Sequence, residues 1–510
     1  MPEKTIIAKP FSGDYRIDVL LDDVNYRWNA GKALGTPVEI SYSFIKSPTS
    51  TASDSDKNGF KAFTVEQMAA ARAIFADIAQ VLNVTFKEVA DTDIQSGIRL
   101  ANNTQDKSAG YAKLPVPTAD GTAFSAGSGD LFMSTTYMNV SYERGSEAYK
   151  ILIHEIGHAI GLNHPGNYNA GEPPSTEAGN YLATSEDSSW ISIMSYNAIA
   201  QNQQGEFFGT YDMLALKYLY GSRAYHTGDD TYAYSDVDGR TLKIINDTGG
   251  IDTIDASKAT VAATINLTPG SLNSIGRIAS GDAAINNISI AFDATIENII
   301  GTAFSDKLTG NAANNLINGG GGDDVINGGA GLDTAQYAGL RSTYTVASNN
   351  SGFNVSKPNS QGVDTLSNME RLKFSDLSVA LDIDGIAGQA YRIYQAAFGR
   401  TPDLAGLGYW IKDMDKGSSL TTVAAGFMQS KEFQALYGSS PLVDTFLTTL
   451  YKNILGRLPD QAGYDYWKGE LSTNKISFAG TLASFTEGQE NKLKVIGVIQ
   501  NGFDFIEYTG

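Results

Sequence analysis

His154-Glu155-Ile156-Gly157-His158-Ala159-Ile160-Gly161-Leu162-Asn163-His164 governs the reading of the N-terminal part of this chain. The stretch fits H-E-x-x-H-x-x-G-x-x-H at every specified position and uses three of the four histidines in the sequence. An α-helix turns about 100° per residue, so His154 and His158 project from one face, roughly 6 Å apart along the axis. Both can reach one Zn²⁺. Glu155, one residue round, can sit beside the metal without ligating it. Gly161 can take the left-handed conformation that ends a helix, which lets His164 swing back as a third nitrogen ligand. Three protein ligands leave positions open for water, the arrangement of a catalytic rather than a structural zinc site.

Thirty residues beyond His164 lies Ser192-Ile193-Met194-Ser195-Tyr196. A methionine in a tight turn beneath the histidines accompanies the long zinc pattern, and Met194 is assigned to it.

Composition narrows the remaining choices. A length of 510 residues predicts about three domains. A formal net charge of −19 argues against nucleic acid as a partner. With 53 glycines, that acidity points to hard cations bound by carboxylates and carbonyls. The absence of cysteine excludes disulfides, thiolate metal sites and thiol nucleophiles. Residues 1–10 lack the apolar core of a cleaved export signal, and no run of 18 apolar residues predicts a membrane span.

Residues 1–13 read as an N-terminal extension and 14–222 as one α/β domain. Val38–Phe44 alternates as a strand should, and Thr64–Leu82 is a helix opened by a Thr64/Gln67 capping box. Gly129, Asp130, Leu131, Phe132 and Met133 are expected to form an edge strand able to pair with substrate backbone. From 223 to 385 helical periodicity gives way to Gly, Asn, Asp and short β-branched clusters. Four nine-residue units start at Gly301, Gly310, Gly319 and Gly328. They follow G-G-x-G-x-D-x-U-x, the parallel β-roll repeat that holds Ca²⁺ between glycine-rich turns. Units n and n+2 should stack, placing Asp306 with Asp324 and Asn315 with Asp333. The expected calcium ligands are Asp306, Asn315, Gly319, Gly321, Asp324, Gly328 and Asp333, for a few ions only, because the last two units alone fit in full. Residues 386–510 read as helical, with an internal repeat offset by 57 in which Tyr394…Trp410 matches Tyr451…Trp467.

The zinc stretch, its continuation Pro165-Gly166-Asn167-Tyr168-Asn169, the Met194 turn, the nonapeptides and Ala294–Gly301 together resemble the serralysins, secreted metalloproteases of the metzincin clan. The resemblance implies a multidomain chain: an α/β metzincin catalytic domain, a parallel β-roll with capping strands, and a C-terminal all-α domain. It implies one zinc ion on His154, His158 and His164, Glu155 as general base, and Tyr196 as a further zinc ligand that swings away to stabilise the oxyanion. It also implies protein or peptide substrates and export by a type I ABC exporter from a Gram-negative cell. Three departures stand out. Asn197 replaces the family's tryptophan, the stretch ahead of the catalytic domain is short for an inhibitory propeptide, and the helical tail resembles the DUF4214 type found on bacterial surface proteins, which suggests a cell-surface partner. A second reading is a non-catalytic, surface or S-layer-associated binding protein on a protease-like scaffold. Retention of Glu155 beside the histidines argues for the enzyme.

Overall fold

Five strands organise the N-terminal region: β1 (Val38–Phe44), β2 (Val84–Glu88), β3 (Ile98–Asn103), β4 (Gly110–Ala112) and β5 (Leu131–Ser134), in the order β2-β1-β3-β5-β4. The β2-β1, β1-β3 and β3-β5 pairs are parallel, and β4 runs antiparallel to β5. The computed structural model describes residues 5–92, 97–170, 173–176 and 178–510. They divide into two compact units between Ala303 and Phe304.

Helix α1 (Val65–Val81) starts as its sequence predicts. Thr64 accepts the Gln67 N–H, and Gln67 reaches back to the Thr64 backbone, satisfying two of the donors a helix start leaves open. Ile74 and Ile78 of α1 and Leu152, Ile153 and Ile156 of α2 (Glu147–Ala159) fill one apolar core with Ile40, Leu100 and Leu131 of the sheet. The zinc-pattern helix is therefore buried in this core along most of its length. A third helix, α3 (Thr210–Tyr220), packs into the same core through Leu216 and Leu219.

The expected edge strand is corrected by the structure. Leu131, Phe132 and Met133 lie in β5, which has β3 on one side and β4 on the other. Gly129 and Asp130 precede it, and Asp130 is ion-paired with Arg99 at 2.5 Å. A continuous apolar run buried on both faces marks an interior strand. The edge on this side of the sheet is β4, three residues long, too short for periodicity to reveal.

The rest of the first unit continues in short parallel ladders. Thr253–Lys258 pairs with Thr231–Ser235 and with Asn298–Ile300, and Thr241–Ile245 pairs with Ile288–Ile290.

In the second unit the nonapeptides give β6 (Lys307–Thr309), β7 (Leu316–Asn318), β8 (Val325–Asn327) and β9 (Thr334–Gln336). β6 pairs with β8 and β7 with β9, both parallel. This is the expected stacking of alternate units, with the eighth-position residues Leu308, Ile317, Ile326 and Ala335 buried between the two ladders. The stacked turns share a hydrogen bond: Asp306 N–H donates to Asp324 Oδ1 at 3.0 Å, and Asn315 N–H to Asp333 Oδ1 at 2.8 Å.

Beyond Gly385 the chain is helical in two matching halves. Gly399 and Gly456 close a helix in the left-handed conformation, with φ of 65° and 68°. Asp403 and Asp460 cap the next one by accepting the N–H of Gly406 and Gly463 at 2.7 and 2.9 Å. In each half a buried tyrosine hydroxyl, Tyr394 or Tyr451, packs so close to that glycine that a Cβ would lie 2.3 or 2.4 Å away. The repeated Tyr, Gly and Asp are thus scaffold chemistry. The region is not helical to its end: Phe503–Phe505 forms a strand antiparallel to Ser378–Ala380, where alternate phenylalanines bury on one face. Among the described residues, no helix is long and apolar enough to cross a membrane.

Candidate metal centre

Helix α2 delivers His154 and His158 from one buried face, and the turn at its end delivers His164. Gly161 sits at φ 111°, and a Cβ there would meet the Tyr26 carbonyl oxygen at 2.3 Å. Only glycine fits both the backbone conformation and the contact. The last helical carbonyls are not left open: Trp28 Nε1 donates to Ala159 O and Tyr220 Oη to Ile160 O, both at 2.8 Å.

The three imidazoles converge. His164 Nε2 lies 3.2 Å from His154 Nε2 and 3.0 Å from His158 Nε2. The opposite nitrogens are engaged, His154 Nδ1 with Ile193 O at 2.9 Å and His158 Nδ1 with Leu162 O at 2.8 Å. Both Nδ1 atoms must carry the proton to donate to a carbonyl, so in the neutral rings both Nε2 atoms are bare lone pairs. Burial depresses His154 to about 3, His158 to about 4 and His164 to about 2, which keeps all three rings neutral near pH 7. Lone pairs aimed at one point repel unless a cation sits between them. The donor set therefore fits a metal ion, and the carbonyl partners supply the orientation that such ligands need.

Glu155 is buried beside them, and its Oε2 has no hydrogen-bond partner among the described residues. Burial pushes its carboxyl up to about 8; an adjacent dication would hold it ionised. The carboxylate lies against β4, where a Cβ on Gly110 would stand 2.8 Å from both Glu155 Cγ and Oε1. Gly110 is thus a site residue that the sequence did not disclose. Gly110→Ala is expected to leave the fold intact but displace the carboxylate by a few tenths of an ångström to an ångström. If Glu155 is the base, turnover of a peptide substrate should fall by about 10²-fold. An unchanged rate would show that the contact is idle.

Tyr196 is half-exposed, with its ring 4.5 Å from that of His164 and stacked on Tyr168 at 4.8 Å. Burial and the nearby Glu155 push its phenol up to about 12, so it is a neutral donor. Met194 is fully buried under α2; a Cβ on Gly157 would meet Met194 Sδ at 2.7 Å. The turn around it is held by two acids that the sequence did not single out. Asp212 of α3 accepts Ser192 Oγ and the Ile193 N–H at 2.6 Å and the Gly209 N–H at 2.8 Å. Asp187 accepts Ser195 Oγ at 2.6 Å and Tyr168 Oη at 2.8 Å. Asn197 Nδ2 donates to Asp187 O at 3.2 Å, so this residue braces the turn.

The site opens into a cleft of about 610 Å³ lined by Glu155, His158, His164, Tyr196 and Gly110–Ala112. Lys9 also lines it. The N-terminal segment is docked there, with the Ala8 and Lys9 N–H groups both donating to Asn180 Oδ1 at 2.8 Å.

A buried helix carrying two imidazoles and a carboxylate, a returning third imidazole and a braced methionine turn define a metallopeptidase-type domain. Family models agree. Residues 49–207 match Metallo-peptidase family M12, 300–335 the RTX calcium-binding nonapeptide repeat, and 390–437 and 424–495 the domain of unknown function DUF4214. The chain is similar in sequence to several serralysins. It is 36% identical to Serralysin C of Dickeya chrysanthemi over 344 residues, covering 60% of this chain and 65% of that one. It is 34% identical to Serralysin A of the same organism, with the same coverage, and 32% identical to a serralysin of Proteus mirabilis, covering 54% of this chain and 60% of that one. The chain thus spans about two-thirds or less of the length of these relatives.

Proposed function

We propose that this chain is a zinc endopeptidase that is secreted and binds calcium. The observation that carries the reading is the convergence of three neutral imidazoles beside a buried carboxylate with an unpartnered oxygen. Zinc held by His154, His158 and His164 would supply Lewis acidity, acidifying water and polarising the scissile carbonyl. Glu155 takes the proton of the attacking water and returns it to the leaving amine. Its buried, unpartnered Oε2 suits that shuttle. Tyr196, neutral and exposed on the cleft wall, donates to the developing oxyanion. A peptide would bind in the cleft as an extended strand added to the free edge of β4, which places its backbone alongside Gly110 and hence beside Glu155.

Calcium would bind in the roll turns. The Gly328–Asp333 turn fits: Asp333 is fully buried, and its Oδ2 has no partner among the described residues. Export through a type I ABC exporter belongs to the same proposal and is supported by the likeness to serralysins; a cell-surface partner for residues 386–510 is proposed with it. The test is direct. Purified chain should carry one zinc per molecule and cleave casein, and cleavage should stop on chelation and return with Zn²⁺. A fully metallated, folded chain that leaves casein and a random peptide library intact would favour the binding-protein reading instead.

A further inference from the structure

The third nonapeptide has the complete calcium pattern, Gly319-Gly320-Gly321-Gly322-Asp323-Asp324. Four oxygens gather at its turn: the carbonyls of Gly320 and Gly322, Asp324 Oδ2 and Asp364 Oδ1. All four point at a single atom, Lys357 Nζ, at 3.1, 2.9, 2.9 and 2.8 Å. The lysine side chain is 4% exposed, and both carboxylates are completely buried. The other oxygen of Asp364 is held by Tyr337 Oη at 3.0 Å. Carbonyl and carboxylate oxygens converging on one point are the ligand set of a hard divalent cation. Here that point is already occupied by an ammonium group with three N–H donors.

The two cations exclude each other. Calcium needs its oxygens at about 2.3–2.6 Å, so an ion bound to these four would overlap Nζ. The neighbouring unit is the internal comparison. Its turn is built alike, for the first glycine of each unit packs on the sixth-position carboxylate. A Cβ on Gly319 would be 2.3 Å from Asp324 Oδ2, and one on Gly328 would be 2.6 Å from Asp333 Oδ2. Yet among the described residues no lysine reaches Asp333 and its Oδ2 is an orphan, while the equivalent oxygen of Asp324 has a cation. Lys357 and Asp364 both lie outside the repeats matched at 300–335. Lys357 directly follows the strand Gly352–Ser356, and Asp364 lies in the next strand, Val363–Ser367, which pairs directly with β8.

We propose that Lys357 is a built-in replacement for calcium in the Gly319–Asp324 turn, so that this turn takes up no Ca²⁺ and calcium dependence rests on other turns. The residues that should ligate calcium here do so to an ammonium instead. The test uses the full chain. Lys357→Met keeps the unbranched apolar stem but ends one atom short of Nζ and carries no charge, leaving a vacant anionic cage. Refolded in Ca²⁺, Lys357→Met should bind one more calcium per molecule than the wild type by metal analysis and calorimetry. The same number in a folded variant overturns the proposal. If Lys357→Met fails to fold, wild-type protein in saturating Ca²⁺ decides. Under reductive methylation read by mass spectrometry, Lys357 should stay unmodified while exposed Lys87 and Lys475 react. Ready methylation of Lys357 would mean that calcium expels it, and the proposal would fall.

Discussion

Glu155→Gln is expected to lower kcat/KM on a peptide substrate by about 10²–10⁴-fold while leaving zinc content, fold and substrate affinity close to those of the wild type. The amide is isosteric with the carboxylate, so the tight contact with Gly110 is preserved. It also introduces no charge into a pocket where the wild-type side chain is only 5% exposed. What it cannot do is carry a proton from water to amine. The histidines keep their own carbonyl partners at Ile193 and Leu162, so metal binding should not depend on residue 155. Steady-state kinetics and zinc analysis on the same preparation separate the two effects. Activity within tenfold of the wild type would place the base elsewhere, whereas loss of zinc would make Glu155 a structural residue.

The second large effect lies away from the cleft. Asp212 is fully buried and receives three donors from the methionine turn and the start of α3. One donor is the Ile193 amide, and the carbonyl of the same residue orients His154. The chain of contacts runs from Asp212 through Ile193 to a metal ligand. Asp212→Ala strands three buried donors, at about 1–3 kcal/mol for each unsatisfied group, so a loss of at least about 3 kcal/mol is expected in denaturant unfolding. Loss of the brace behind His154 should also weaken zinc by about 10–100-fold, read by competition with a chromophoric chelator. Asp212→Asn retains an acceptor and should recover part of both. Stability lost with metal affinity unchanged would show that the turn holds His154 without help from Asp212.

How much the sequence disclosed depended on how local the determinants are. Two ligands and the base lie on one helical face, and the third follows a glycine that only one backbone conformation explains, so the centre is visible in eleven consecutive residues. The roll is equally plain because its period is short, and the pairing of units n and n+2 follows from counting. Everything nonlocal was hidden. β4 becomes the sheet edge because β5 is sandwiched by β3, a fact of topology that no window of sequence contains. Gly110 matters because of a contact with a residue 45 positions away. Asp212 is a lone acid in an apolar helix. Lys357 lies beyond the last nonapeptide, in a hairpin whose composition gives no hint of a cation's partner.

The antiparallel pairing of Ala380 with Phe503 has a consequence for the helices between them. Both ends of that long excursion are pinned one strand spacing apart, about 4.8 Å, so the helical region is an insertion into a hairpin rather than a tail on a tether. Such an insertion weighs little on the sheet that carries it, since closing a loop costs only about 0.6 kcal/mol more for each doubling of its length. A module anchored in this way can grow, shrink or be exchanged between proteins without unzipping the strands at its base, and it cannot drift away from the roll while they hold.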